Sequence, residues 1–159
     1  MAALRVASKV KGWPTPWLTQ HDAESFLTPL LNRGWRIIQI EPEKPTAGLA
    51  RQFRFERPNV ATAFTSDILQ LCASENHHPQ WLKMHNSAKH STVQICTTTH
   101  SALDTLRNVV CPGITLRDVR FAALLASLPS APVDDELVAY SMDWAQFDAK
   151  IRRWAELGS

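Results

Sequence analysis

The spacing of apolar and polar residues divides most of the chain into alternating helical and extended segments. Apolar residues recur at helical spacing after Thr19, Pro58 and Thr115, which are typical first residues of helices. Alternating or β-branched runs predict four strands, at residues 35–41, 49–56, 81–84 and 92–99. The resulting order, α-β-β-α-β-β-α, contains two antiparallel hairpins. It predicts an α+β fold in which helices cover one face of a four-stranded antiparallel sheet.

The two ends of the chain fall outside this pattern. We expect an N-terminal tail at residues 1–18, a domain at 19–128, and a linker with a C-terminal amphipathic helix at 129–159. Apolar residues of the last segment follow in alternating steps of three and four: Leu137, Tyr140, Trp144, Phe147, Ile151 and Trp154. Such a seam packs either on its own domain or on a partner, and the sequence leaves both open. Polar loops are expected at 85–91 and 101–113.

Composition and charge narrow the class of protein. The 45% apolar content and the net charge of +2 are typical of a soluble globular domain, without a basic stripe for nucleic acid or an apolar run for a membrane. Cys72, Cys96 and Cys111 have no metal-binding or redox spacing and predict reduced thiols. The first twelve residues carry basic but no acidic side chains. We expect a disordered tail of a cytoplasmic protein there, with a mitochondrial transit peptide as the alternative.

Three histidines are the candidate chemical groups. His77 and His78 leave the second helix, and His100 ends the last predicted strand. Imidazoles that meet at one pocket would suit proton transfer near neutral pH or a zinc site, and the residue types alone leave both open, together with no special role. Asp118 is ambiguous as well, because the spacing Thr115-x-x-Asp118 is also that of a helix cap.

A set of short motifs gives these residues a context. The motifs are NRGW (32–35), FRF (53–55), ENHHPQW (75–81), TTTH (97–100) and GITLRD (113–118). In order and approximate spacing, from about Leu27 to Leu128, the chain resembles the pterin-4a-carbinolamine dehydratases. The resemblance implies the same α-β-β-α-β-β-α fold. It also implies a metal-independent hydro-lyase without a cofactor, which converts 4a-hydroxytetrahydropterin to the quinonoid dihydropterin during tetrahydrobiopterin recycling.

The resemblance also assigns roles and partners. It implies that His77, His78 and His100 are catalytic, and that the pterin is contacted by Trp81, Thr98, Thr99 and Asp118. It implies a homodimer or homotetramer that does not bind nucleic acid directly. Other members of the family act as a dimerisation cofactor or have chaperone-like roles, so a non-catalytic assembly protein is the alternative function.

Two features depart from the family pattern. The acidic residue that often stands four positions before the first histidine is replaced by Ala73, and Glu75 is expected to face elsewhere on the helix. The loops at 85–91 and 101–113 are longer than is typical and flank the expected pocket.

Overall fold

A computed structural model describes residues 4–41, 46–132 and 142–157. The strands are β1 (Thr15–Pro16), β2 (Arg36–Gln39), β3 (Ala47–Phe55), β4 (Trp81–Asn86), β5 (Ser91–Thr97), β6 (Ala102–Asp104) and β7 (Val109–Val110). Three consecutive helical segments, Gln20–Asp22, Ala23–Leu27 and Thr28–Leu31, form α1, and the later helices are α2 (Pro58–Glu75), α3 (Leu116–Ala126) and α4 (Trp144–Leu157).

The main sheet has the strand order β2-β3-β5-β4, and all of its neighbours are antiparallel. The α+β prediction is therefore confirmed. Helix α2 lies on one face of the sheet because its buried residues recur at helical spacing and meet alternate residues of β3. The Phe64 ring packs edge-on against Phe53 at 4.8 Å between centroids, and against Phe55 at 5.3 Å.

Helix α1 begins where the sequence predicts. The Thr19 side chain accepts a hydrogen bond from the Asp22 backbone N–H, which caps the first turn. Residues Ala23–Leu27 then form a wider π-helical turn, and the chain leaves the helix through Gly34, whose φ of +94° suits glycine. Leu27 and Leu30 are fully buried, so this helix closes one side of the core.

Two predicted loops contain more regular structure than expected. Strand β4 continues to Asn86 and β5 begins at Ser91, so the segment 85–91 is a short turn between paired strands. The segment 101–113 holds β6 and β7, and β6 pairs in parallel with β1 to form a second, three-stranded sheet. These strands have only two or three residues, which is too short for a periodic pattern to indicate them.

Asp104 anchors the second sheet. Its buried carboxylate accepts hydrogen bonds from Arg107 Nε and Arg152 Nη1, both at 2.7 Å. Burial alone would raise the pKa of Asp104, but the hydrogen bonds from these two arginines lower it to about 2. Because Arg152 lies on α4, this ion pair ties the C-terminal helix to the second sheet.

Described segments near both ends of the chain pack on the domain. Ala7 and Leu18 of the N-terminal segment 1–18 belong to the main core, although a disordered tail was expected over the first twelve residues. In α4, Ile151 is buried in the same core, and Trp144, Phe147 and Trp154 pack against it. This part of the seam therefore docks on its own domain, whereas Leu137 and Tyr140 lie outside the described residues. Among the helices described, none has the length and apolarity required to cross a membrane.

Candidate active site

The turn after α2 separates the two adjacent histidines. Asn76 adopts a left-handed conformation with φ of 50°, which asparagine tolerates better than most residues and which ends the helix. The His77 N–H then donates to the Cys72 carbonyl at 3.1 Å. As a result His77 turns inward and is 9% exposed, while His78 stays on the surface.

The threonine run at the end of β5 faces the first turn of α3. Successive side chains on an extended strand alternate between its faces, so Thr97 and Thr99 point the same way. The Thr97 hydroxyl donates to Asp118 Oδ1 at 2.6 Å, and the Thr99 hydroxyl donates to Oδ2 at 2.7 Å. Two alternate threonines therefore hold both oxygens of one fully buried carboxylate.

The same carboxylate caps helix α3. Thr115 Oγ1 accepts from the Arg117 N–H, and the Thr115 N–H donates to Asp118 Oδ2 at 2.9 Å, which completes a capping box. The sequence left open whether Asp118 is a cap or a chemical group. The structure shows that it is a cap and that it also lies against His77.

His77 is bound to this network through one ring nitrogen. Nε2 lies 2.6 Å from Thr97 Oγ1 and 3.3 Å from Asp118 Oδ1. The Thr97 hydroxyl uses its one hydrogen in the hydrogen bond to Asp118. Its oxygen must therefore accept a hydrogen bond from His77, which assigns a proton to Nε2. The network thus leaves Nδ1 for a ligand. The Phe121 ring, 5.0 Å away between centroids, packs against the imidazole.

A charged cleft lies beside His77. Glu75 forms two hydrogen bonds with Arg120, at 3.0 and 3.1 Å, and both line the cleft with His77. The Arg120 hydrogen bonds lower the pKa of Glu75 against the effect of burial, and the nearby Lys9 and His77 add to the lowering. The expectation that Glu75 faces elsewhere is therefore wrong, because the turn at Asn76 brings His77 back toward the end of its own helix.

The other predicted site residues lie outside this network. His78 and His100 are exposed and take no part in it. The hydroxyl of Thr98 donates to the carbonyls of Ala47, at 3.0 Å, and Gly113, at 3.3 Å.

Trp81 is half-buried and occupies the opposite face of the sheet. It pairs with Cys96, the residue before Thr97, so its side chain points away from the Thr97 hydroxyl. Lys83 Nζ lies 4.9 Å from the centre of its ring.

Sequence reasoning missed Thr97 and found its neighbours. The alternation of a strand could have indicated it, since a residue two positions from Thr99 shares its face. Cys96 points to the same face of the sheet as Trp81, and its thiol is not activated: burial, with a contribution from the Asp118 charge, raises the pKa of this thiol to about 12. In the described part of the chain, no three His, Cys, Asp or Glu side chains are grouped as a metal site would require.

Comparison with known proteins identifies the family to which the chain belongs. The family model described as "Pterin 4 alpha carbinolamine dehydratase" matches residues 16–128, well over half of the chain. A pterin-4-alpha-carbinolamine dehydratase from Drosophila melanogaster is 25% identical over 108 residues, which cover 68% of this chain and 46% of that protein. The match to the Drosophila protein thus spans less than half of its length. A putative pterin-4-alpha-carbinolamine dehydratase from Rhodopseudomonas palustris is 27% identical over 95 residues, 60% of this chain and 75% of its own.

A solved structure is similar as well. The crystal structure of a "transcriptional coactivator/pterin dehydratase" from Brucella melitensis has 18% sequence identity and a TM-score of 0.43, over 70% of this chain and 96% of that one. The family assignment rests on the matched sequence region, which contains the motifs around His77, Thr99 and Asp118. The chain belongs to the pterin-4a-carbinolamine dehydratase family.

Proposed function

We propose that this chain dehydrates a 4a-hydroxytetrahydropterin to the quinonoid dihydropterin, as a metal-independent hydro-lyase in tetrahydrobiopterin recycling. The observation that carries the proposal is the arrangement of His77, Thr97 and Asp118. A buried carboxylate fixes the proton on one nitrogen of an imidazole and leaves the other nitrogen as a base. Family membership supplies the class of substrate.

The reaction needs only proton transfers. The bond between C4a and the hydroxyl oxygen breaks, and an acid donates a proton so that the oxygen leaves as water. A base removes the proton from N5, and the electrons of that N–H bond form the new double bond between N5 and C4a. No electron passes to or from another reactant, so one acid and one base suffice.

We assign the base to His77, because its Nδ1 is the nitrogen that the Asp118 network leaves unprotonated. The acid is one of the exposed histidines, His78 or His100, which solvent can reprotonate after each turnover. In this proposal Thr99 acts by holding Asp118, and Thr98 by fixing the end of β5, since their hydroxyls are occupied within the protein. No step is assigned to Trp81.

The test is the decay of the carbinolamine, followed by its ultraviolet absorbance, with wild-type protein and with His77→Ala. We expect the variant to lose about 10²- to 10⁴-fold in rate, which is the usual contribution of a general base. His21→Ala is the matched control, because His21 is an exposed histidine on α1. A wild-type decay no faster than in buffer, or equal rates for His77→Ala and wild type, would contradict the proposal.

A homodimer or homotetramer is part of this proposal. Strand β4 is an edge of the main sheet, and its residues from Lys83 to Asn86 are exposed, so its outer side can pair with another chain. The alternative function as an assembly protein has less support. It was suggested by the C-terminal apolar seam, and the described part of this seam packs on its own domain. Light scattering distinguishes a monomer from these assemblies.

A further inference from the structure

The cleft at His77 has a wall that the matched family region does not supply. Lys9 and Val10 form this wall, opposite residues of α2 and α3. The family match begins at residue 16, so the segment of residues 7–13, here called the N-terminal strap, precedes it. The strap is therefore a feature of this chain that its family membership does not explain.

Two arginines of α3 hold the strap at its ends. Arg120 Nη1 donates to the Ala7 carbonyl at 2.8 Å, and Arg117 Nη2 donates to the Gly12 carbonyl at 2.7 Å. The Arg117 guanidinium also lies 3.8 Å from the centre of the Trp13 ring. Ala7 is 2% exposed and packs in the main core, whereas Trp13 is 57% exposed. The strap is thus fastened by a few identifiable contacts.

The strap leaves almost no room beside His77. The cleft has a volume of about 10 Å³, which is enough for one water molecule. A cavity that holds a single benzene ring measures roughly 150 Å³. A pterin has two fused rings, so it does not fit into this cleft while the strap is in place.

We propose that the N-terminal strap is a gate that covers His77 and must be displaced before a pterin can reach Nδ1. Its contacts with Arg117 and Arg120 set how often the gate opens. The identity of the ligand rests on the proposed function, but the gate itself does not, since it follows from the packing around His77.

Chemical modification of His77 in the folded protein tests the gate without reference to activity. Diethyl pyrocarbonate acylates an accessible, unprotonated imidazole nitrogen, and peptide mapping by mass spectrometry gives a separate rate for each histidine. The exposed His78 and His100 serve as references within the same molecule. In the wild-type protein we expect His77 to react at least about tenfold more slowly than either reference.

Two variants displace the strap by different means. Ala7→Lys places a charge at a buried position beside Arg120, and we expect it to raise the His77 rate at least about tenfold. Ser8→Lys adds the same charge at the exposed neighbouring position and should leave the rate unchanged. Trp13→Ala removes only the exposed ring stacked on Arg117, and we expect a rise of about two- to fivefold.

The outcomes separate the gate from the proposed function. An unchanged His77 rate in both Ala7→Lys and Trp13→Ala overturns the gate, whatever the rate of carbinolamine decay. If circular dichroism shows that Ala7→Lys is unfolded, Trp13→Ala alone decides. A raised His77 rate supports the gate even where wild-type and variant proteins fail to accelerate carbinolamine decay, and that failure contradicts the proposed function alone.

Discussion

Replacement of Asp118 by asparagine tests whether this carboxylate decides which nitrogen of His77 carries the proton. Asparagine keeps the shape of the side chain but has one acceptor oxygen instead of two. The Thr115 N–H and the Thr99 hydroxyl both require an oxygen at the Oδ2 position. The NH2 group of the asparagine therefore takes the Oδ1 position, opposite Thr97.

The change then reaches His77 through Thr97. The NH2 group of the asparagine would donate to Thr97 Oγ1. The Thr97 hydroxyl then turns and donates to His77 Nε2, which becomes an acceptor. The proton of the neutral ring moves to Nδ1, where it blocks the proposed base. We expect Asp118→Asn to lower the rate of carbinolamine dehydration by about 10²- to 10⁴-fold, the range for loss of a general base or of its correct tautomer.

The cost in stability is small enough for the experiment to work. Asp118→Asn loses hydrogen bonds to a charged acceptor, and we expect a decrease of about 1–3 kcal/mol in the free energy of unfolding. Domains of this kind usually have about 5–15 kcal/mol, so the variant should stay folded at 25 °C. Dehydration is followed by ultraviolet absorbance, and ¹⁵N chemical shifts of the His77 ring report its tautomer directly.

Asp104→Asn is the matched control, because Asp104 is an equally buried aspartate in the second sheet. This control should lose stability but keep the rate of dehydration and the His77 tautomer. A wild-type rate in Asp118→Asn, or an unchanged proton on Nε2, would refute the assignment. Equal losses of rate in the two variants would show that the effect comes from stability rather than from His77.

Two other predictions concern Thr97 and Asp104. Thr97→Val removes the hydroxyl between His77 and Asp118, and we expect the rate of dehydration to fall about tenfold. The control Thr92→Val, on the same strand, should have no effect. Equal rates for Thr97→Val and wild type would contradict the role of Thr97. Asp104 has a pKa of about 2 in the folded protein and about 3.9 when unfolded. Its stabilisation of about 2–3 kcal/mol is therefore complete above about pH 5 and is lost as the pH falls through 2. Urea denaturation of wild type and Asp104→Asn should therefore give a difference in stability that shrinks over this range, and a constant difference would count against the ion pairs as its cause.

The sequence predicted the main sheet and its helices because each has a period that side chains must follow. Residues of α2 that meet the sheet recur at helical spacing, and the cap at Thr115 and Asp118 is a local pattern that needs no tertiary information. The inward position of His77 could not be predicted in this way. It depends on a single left-handed residue, Asn76, which separates two identical neighbours into one buried and one exposed imidazole.

The N-terminal strap and the second sheet were missed for a different reason. Their segments are short and gain their order from contacts with residues far along the chain. Ala7 is held by a side chain of α3, and Asp104 by an arginine of α4. A sequence pattern within a window of ten residues cannot indicate such contacts, because the contacting residue lies about 50 to 110 positions away.

The segment between His100 and Asp118 shows why a long connection beside the site need not disturb it. The Thr99 N–H donates to the Gly113 carbonyl at 2.9 Å, and the Gly113 N–H donates back to Thr99 at 3.0 Å. This pair of hydrogen bonds closes the base of the segment, so Thr99 faces Thr115 at 2.8 Å between hydroxyl oxygens, whatever the hairpin beyond it contains. A Cβ at position 113 would collide with the Trp17 indole, so glycine is required where the two segments meet. Strands β6 and β7 of this segment therefore join β1 in a separate sheet anchored by Asp104, and the network from Asp118 to His77 is left intact.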